Sequence, residues 1–175
     1  MTTEYLYDKE IGHILALLTP PNRLVMRLML HTGMRVSDAV SLRPADLRSS
    51  GWYTEAKTGK RRRLGIPADL LAALRAQAGT DWVFPGRNPW QHRTRQAVWT
   101  DVNRAAKALR MDRVVGTHSA RKVYAVKMLG KYGHIDKVRR ALNHGDASVT
   151  MVYAMADILL ERRMAAKMRR KTAVY

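Results

Sequence analysis

The sequence predicts an α+β domain, mostly α-helical, with one small antiparallel β-hairpin. Three observations lead there. Apolar residues recur at helical spacing along most of the 175-residue chain, and hydrophobic residues make up 46% of it, enough for a real core. The period changes only over residues 51–66, where Trp52, Tyr53 and Thr54 favour strand and Thr58-Gly59 favours a turn. No repeat or composition break divides the chain, so one domain over residues 1–175 accounts for it.

The elements follow in order. Asp8 is the expected cap of a helix through Leu18, closed by Pro20-Pro21. Residues 22–32 are strongly apolar (Leu24, Val25, Met26, Leu28, Met29, Leu30) and read as a buried helix stopped by Gly33. A short helix restarts over 36–42, and Pro44 opens another turn. The hairpin arms are expected at 51–57 and 61–66, with Leu64 and Ile66 flanking Gly65 in the return arm. Pro67 starts a helix through Ala78 with Leu70, Leu71 and Leu74 on one face. Residues 82–85 read as extended and 86–89 as a loop. A helix with a basic face is expected over 91–109. Thr117 reads as the cap of a helix to Tyr132, ended by Gly133. Further helices are expected over 135–142, 146–154 and 157–171.

Charge narrows the partners. Lys and Arg total 32 against 14 Asp and Glu, a net charge of +18. A compact domain with that imbalance repels itself unless a polyanion relieves it, and nucleic acid is the leading candidate. An acidic membrane surface fits less well, because the charge is spread along the chain rather than massed on one amphipathic stripe. Cysteine is absent, which excludes disulfides and thiolate metal sites. No apolar run is long enough to span a membrane and no signal peptide is evident, so the cytoplasm, at the nucleoid or in a virus-infected host, is the expected compartment. The acids form no dense cluster for Mg²⁺, so no metal and no cofactor is expected.

The residues suited to chemistry form an ordered series. His118 and Arg121 are spaced i, i+3 in the first turn of a helix, where both can meet one anion beside free backbone N–H groups. Arg35 follows a helix break, with Asp38 one turn on to orient its guanidinium. His144 lies at a helix end, and Tyr153 follows nine residues later. Taken singly, each has a plainer reading: a capped helix, a surface Arg–Asp pair, a histidine stabilising a helix end, a packed tyrosine.

Taken together, the series resembles the catalytic domain of tyrosine recombinases, the phage-integrase family. The matching stretches are His31-Thr-Gly-Met-Arg-Val-Ser-Asp-Ala-Val-Ser-Leu42, Thr117-His-Ser-Ala-Arg121 and Ala141-Leu-Asn-His-Gly-Asp-Ala-Ser-Val-Thr-Met-Val-Tyr153. Two departures are Asn143, where the family often has Gly, and Ser-Ala-Arg, where it often has Asp-Leu-Arg. The family also uses a lysine in a hairpin turn. Lys57 is the candidate, and Lys60 is the alternative because Arg61, Arg62 and Arg63 loosen the register.

The resemblance implies the recombinase catalytic fold and metal-independent breaking and rejoining of double-stranded DNA. It casts Tyr153 as the nucleophile, giving a 3′-phosphotyrosine. Arg35, Arg121 and His144 would bind the phosphate, Lys57 would protonate the leaving oxygen, and His118 would help take the tyrosine proton. Lys60, Arg61, Arg62, Arg63, Arg93, Arg95 and Lys122 are the expected contacts to the DNA backbone. It further implies a homotetramer on DNA held through the helix at 157–171, and an N-terminal core-binding domain that is absent or removed here. Three alternatives stand beside it: a catalytically silent DNA-binding regulator on the same scaffold, a type IB topoisomerase-like relaxase, and a structural basic protein such as a ribosomal component.

Overall fold

The computed structural model describes residues 3–134 together with Asp136, Val138 and Leu142. The elements are α1 (Asp8–Leu17), α2 (Pro20–Thr32), α3 (Val36–Val40), a 3₁₀ turn (Pro44–Asp46), β1 (Ser50–Thr54), β2 (Arg61–Gly65), α4 (Ala68–Gln77), α5 (Arg95–Ala108) and α6 (Thr117–Tyr132). The chain forms two compact units, Met1–Tyr124 and Ala125–Tyr175, with the boundary inside α6. In the second unit Asp136, Val138 and Leu142 are helical, and Val126, Leu129, Val138 and Leu142 are buried. The helices expected at 146–154 and 157–171 lie outside the described residues.

In the first unit α2 is the hub. It packs against α1, α3, α4, α5 and β2, and Val25, Met26, Leu28 and Met29 on it are almost wholly buried. Pro20 opens this helix rather than closing the one before. Its missing N–H costs nothing at a first helical position, and its fixed φ suits the helix. The cap of α1 is Tyr7, not Asp8. The Tyr7 N–H donates to Glu10 Oε2 at 2.7 Å, which leaves Asp8 and Glu10 together in the first turn, where the helix dipole favours acids.

Gly33 ends α2 as expected. Its φ of +65° is the left-handed cap, and its N–H returns to the Met29 carbonyl at 2.8 Å. A Cβ there would also stand 2.4 Å from the Tyr124 ring, so both backbone and packing select glycine. This corner leaves Arg35 as the N-cap residue of α3.

The hairpin pairs β1 and β2 antiparallel, with Trp52 opposite Arg63, Tyr53 opposite Arg62 and Thr54 opposite Arg61. The first arm ends at Thr54, earlier than expected, so Lys57 sits in the turn itself. The Glu55 N–H donates to the Lys60 carbonyl at 3.0 Å and the Gly59 N–H to the Glu55 carbonyl at 2.9 Å, which closes the turn. Alternation along β2 buries Arg62 and Leu64 and exposes Arg61 and Arg63.

Helix α5 begins at Arg95, not at residue 91. Residues 84–93 fold back first: the Gly86 N–H donates to the Gln91 carbonyl and the Arg93 N–H to the Phe84 carbonyl, both at 2.7 Å. Thr94 then caps α5 through the Ala97 N–H at 3.1 Å. Thr117 is the first residue of α6 rather than its cap. The preceding Gly116 exchanges bonds with Ser119, through the Ser119 hydroxyl and the Gly116 carbonyl.

A second polar centre ties α1, α2 and α5 together. Asp101 Oδ2 accepts the Thr19 N–H at 2.9 Å, the Thr19 hydroxyl at 2.8 Å and Asn22 Nδ2 at 2.8 Å. Its Oδ1 accepts Arg104 Nη2 at 2.7 Å and Nε at 3.0 Å.

Candidate active site

Two buried arginines and one half-buried arginine meet at the C-terminal end of α2. Arg121 is 2% exposed and donates from Nη1 to the Gly33 carbonyl at 2.6 Å. Arg62 donates from Nη2 to the Thr32 carbonyl. Both bonds satisfy carbonyls that a helix terminus leaves open. Arg35 reaches the same place from the corner after Gly33, and its side chain is 17% exposed.

Two buried carboxylates balance them. Glu55 Oε2 accepts Arg35 Nη1 at 2.6 Å, and Glu55 Oε1 faces Arg62 Nη1 at 3.7 Å. Asp38 is wholly buried. Its Oδ1 accepts the Ala56 N–H at 3.1 Å, and its Oδ2 lies 4.0 Å from Arg35. The expected Arg35–Asp38 pairing is therefore the weaker one. Glu55 takes the guanidinium, and Asp38 chiefly anchors the start of the hairpin turn. Burial first, and then the neighbouring Glu55, push the Asp38 carboxyl above the ordinary carboxylate range against the pull of Ala56, Arg35 and Arg121.

Positive charge wins in this pocket. Burial, then Arg35 and Arg62, bring the Arg121 guanidinium down to about 10, so it stays charged at neutral pH. Among the described residues three guanidiniums face two carboxylates, and Lys57 and His118 are exposed. His118 feels the excess. Partial burial, then Arg121, Arg35, Lys122 and Lys57, hold its imidazole below the ordinary 6.5. That direction favours the neutral imidazole over the imidazolium. An NMR titration of the DNA-free protein should find its midpoint below 6.5, and Lys122→Met should move that midpoint up. A midpoint above 6.5 would show that the cations do not govern it.

The structure brings Arg35, Lys57, His118 and Arg121 together. His144 and Tyr153 lie outside the described residues. Among the expected backbone contacts, Lys60, Arg61, Arg63 and Arg95 are exposed, and Arg93 and Lys122 are half-buried. Arg93 Nε donates to Asn22 Oδ1 at 2.5 Å, and the Lys122 ammonium donates to the Thr3 carbonyl. Arg62 corrects the sequence reading. It is 7% exposed and engaged with Thr32 and Glu55, so it supports the pocket from within rather than presenting a surface charge. The β2 alternation already placed it on the face of Leu64. Glu55 was missed altogether. Its signal was a lone acid beside a turn of lysines and arginines, just before Lys57.

A helical domain that gathers three arginines on one end of a helix, with an imidazole held below its ordinary value nearby, has the chemistry to hold an anion. The chain belongs to the phage integrase family, whose model matches residues 4–158. It is 29% identical over 149 residues to the tyrosine recombinase XerD of Rhizobium meliloti (strain 1021), covering 79% of this chain and 47% of that protein. It is 29% identical over 155 residues to the integrase of Escherichia phage P2, covering 87% of this chain and 43% of that one. The chain thus spans about half the length of these curated relatives. Its fold is similar to the catalytic domain of bacteriophage HP1 integrase, with a TM-score of 0.65 at 23% identity over 87% of this chain and 88% of that one. It is also similar to a lambda integrase dimer bound to a COC′ core site, with a TM-score of 0.72 at 18% identity over 87% of this chain and 49% of that one. Among the described residues no helix is long and apolar enough to cross a membrane, and no group of three or more His, Cys, Asp or Glu is placed to hold a metal ion.

Proposed function

We propose that this chain is the catalytic domain of a site-specific tyrosine recombinase that breaks and rejoins double-stranded DNA. The observation that carries the reading is the convergence of Arg35 and Arg121, from segments far apart in sequence, on one pocket rimmed by Lys57 and His118. Family membership supplies the chemistry for such a pocket, and the relatives, a tyrosine recombinase and an integrase, agree with it.

In the proposed step the Tyr153 oxygen attacks the scissile phosphorus, and the bond from phosphorus to the 5′-oxygen breaks. The tyrosine proton passes to His118, whose imidazole burial and then the neighbouring cations hold below its ordinary value. Lys57 gives a proton to the departing 5′-oxygen. Arg35 and Arg121, with His144, hold the non-bridging oxygens, where charge grows in the transition state. One phosphodiester is exchanged for another, so a second 5′-hydroxyl can reverse the step without an external energy source. The exposed Lys60, Arg61, Arg63 and Arg95 would grip the backbone. Assembly as a homotetramer through residues 157–171 belongs to the same proposal.

A suicide DNA duplex, nicked so that the cleaved fragment diffuses away, traps the covalent intermediate on a denaturing gel. An adduct is expected with the parent protein and none with Tyr153→Phe. An adduct that persists in Tyr153→Phe would take the nucleophile's role from Tyr153. Salt-sensitive binding with no adduct would favour the silent regulator. Relaxation of supercoils without a specific site would favour the topoisomerase-like reading.

A further inference from the structure

The Glu55 carboxylate takes no part in the chemistry above, yet two halves of the pocket meet on it. Its Oε2 accepts both Arg35 Nη1 at 2.6 Å and the Thr58 hydroxyl at 2.9 Å. Arg35 belongs to the corner after α2, whereas Thr58 follows Lys57 in the hairpin turn. One oxygen therefore fastens a phosphate-binding guanidinium to the turn that bears the candidate proton donor. The Glu55 side chain is only 1% exposed, and a carboxylate so buried persists only when it is paired and hydrogen-bonded.

A second tie runs in parallel. The Ala56 N–H, on the other side of Lys57, donates to Asp38 Oδ1 at 3.1 Å, and Asp38 lies one turn beyond Arg35. Lys57 is thus bracketed by two residues tied to the Arg35 segment, while its own side chain stays exposed and close enough to depress the His118 imidazole. Lys60 closes the same turn: its N–H donates to the Thr58 hydroxyl, and its carbonyl accepts the Glu55 N–H at 3.0 Å.

We infer that Glu55 is a positioning residue that, through Thr58, couples the hairpin turn carrying Lys57 to Arg35, so that the phosphate clamp and the leaving-group acid share one geometry. The inference rests on the proposed function and deepens it. A proton donor works only within hydrogen-bond reach of the departing oxygen, and a lysine on an untied turn spends most of its time elsewhere.

Thr58→Val tests this, because it removes one exposed hydroxyl and leaves the Arg35–Glu55 pair in place. Two suicide duplexes are compared, one with an ordinary scissile phosphate and one with sulfur as the 5′-bridging atom. A thiolate leaves without a proton, so the second duplex makes no demand on the lysine. Thr58→Val is expected to slow adduct formation on the ordinary duplex by about tenfold to a hundredfold. On the sulfur duplex it should match the parent, and Thr58→Ser should restore the ordinary rate. Parent-like cleavage of the ordinary duplex, or equal slowing on both, overturns the coupling. Amide exchange in the DNA-free protein gives a readout that needs no cleavage: Ala56 and Gly59 should lose protection in Thr58→Val. Unchanged protection overturns the coupling even if the parent forms no adduct, whereas a parent without an adduct but with lost protection overturns only the recombinase reading.

Discussion

Arg35→Ala is expected to lower the rate of adduct formation on a suicide duplex by at least about a hundredfold to a thousandfold, the usual cost of deleting one donor to a developing oxyanion. The same change should destabilise the DNA-free protein by about 3 kcal/mol, because it strands a buried charge. The Glu55 carboxylate loses its partner at 2.6 Å and keeps only Arg62 at 3.7 Å and the Thr58 hydroxyl. Asp38, already pushed up by burial and by Glu55, loses a cation as well. The double variant Arg35→Ala/Glu55→Ala separates the two effects. Urea unfolding should show part of the stability recovered, since both charges of the pair are gone, while the adduct stays lost. A double variant less stable than Arg35→Ala would show that Glu55 is held by its other partners. A parent-like adduct in Arg35→Ala would remove Arg35 from the chemistry.

Asp101→Ala is expected to cost about 3 kcal/mol in urea unfolding without any contact to the pocket, because it leaves buried donors unpaired. Asp101 gathers the Thr19 N–H and hydroxyl, Asn22 and Arg104 where α1, α2 and α5 meet. Burial alone would raise its carboxyl, but the bonds from Asn22, Thr19 and Arg104 outweigh that and bring it down to about 2. A folded value below the unfolded one, about 3.9, means stability is fully present above that value and is lost as pH falls through about 2. That contribution amounts to about 2 kcal/mol. Asp101→Asn should therefore unfold more easily than the parent at neutral pH and lose less stability on acidification. An acid limb identical in parent and Asp101→Asn would mean that another carboxylate sets it.

The local rules of the chain made much of this protein legible. Apolar spacing marked α2 and α4, Gly33 marked the stop that Tyr124 also enforces, and the strand formers of β1 marked the hairpin. The family was legible as well, because order and spacing of Arg35, His118 and Arg121 survive in one dimension. Where local rules conflicted, long-range bonds decided. Pro20 can end one helix or open the next, and packing of α2 as the hub made it an opening. The basic run at 91–95 suits a helix, but pairing of Gly86 with Gln91 and of Phe84 with Arg93 held it back until Thr94.

Only the tertiary structure sorted the charges. Arg61, Arg62 and Arg63 are chemically alike, yet the core behind Leu64 takes Arg62 inside and leaves its neighbours outside. Burying a guanidinium needs partners, and those partners, the Thr32 carbonyl and Glu55, come from other segments. For the same reason Glu55, not Asp38, holds Arg35, although Asp38 is nearer in sequence. Order and spacing along the chain were enough to pick out the residues suited to a phosphate, because side-chain chemistry is local. The folded chain decided which charge neutralises which, because a buried charge is settled by geometry across the whole unit and not by its neighbours along the chain.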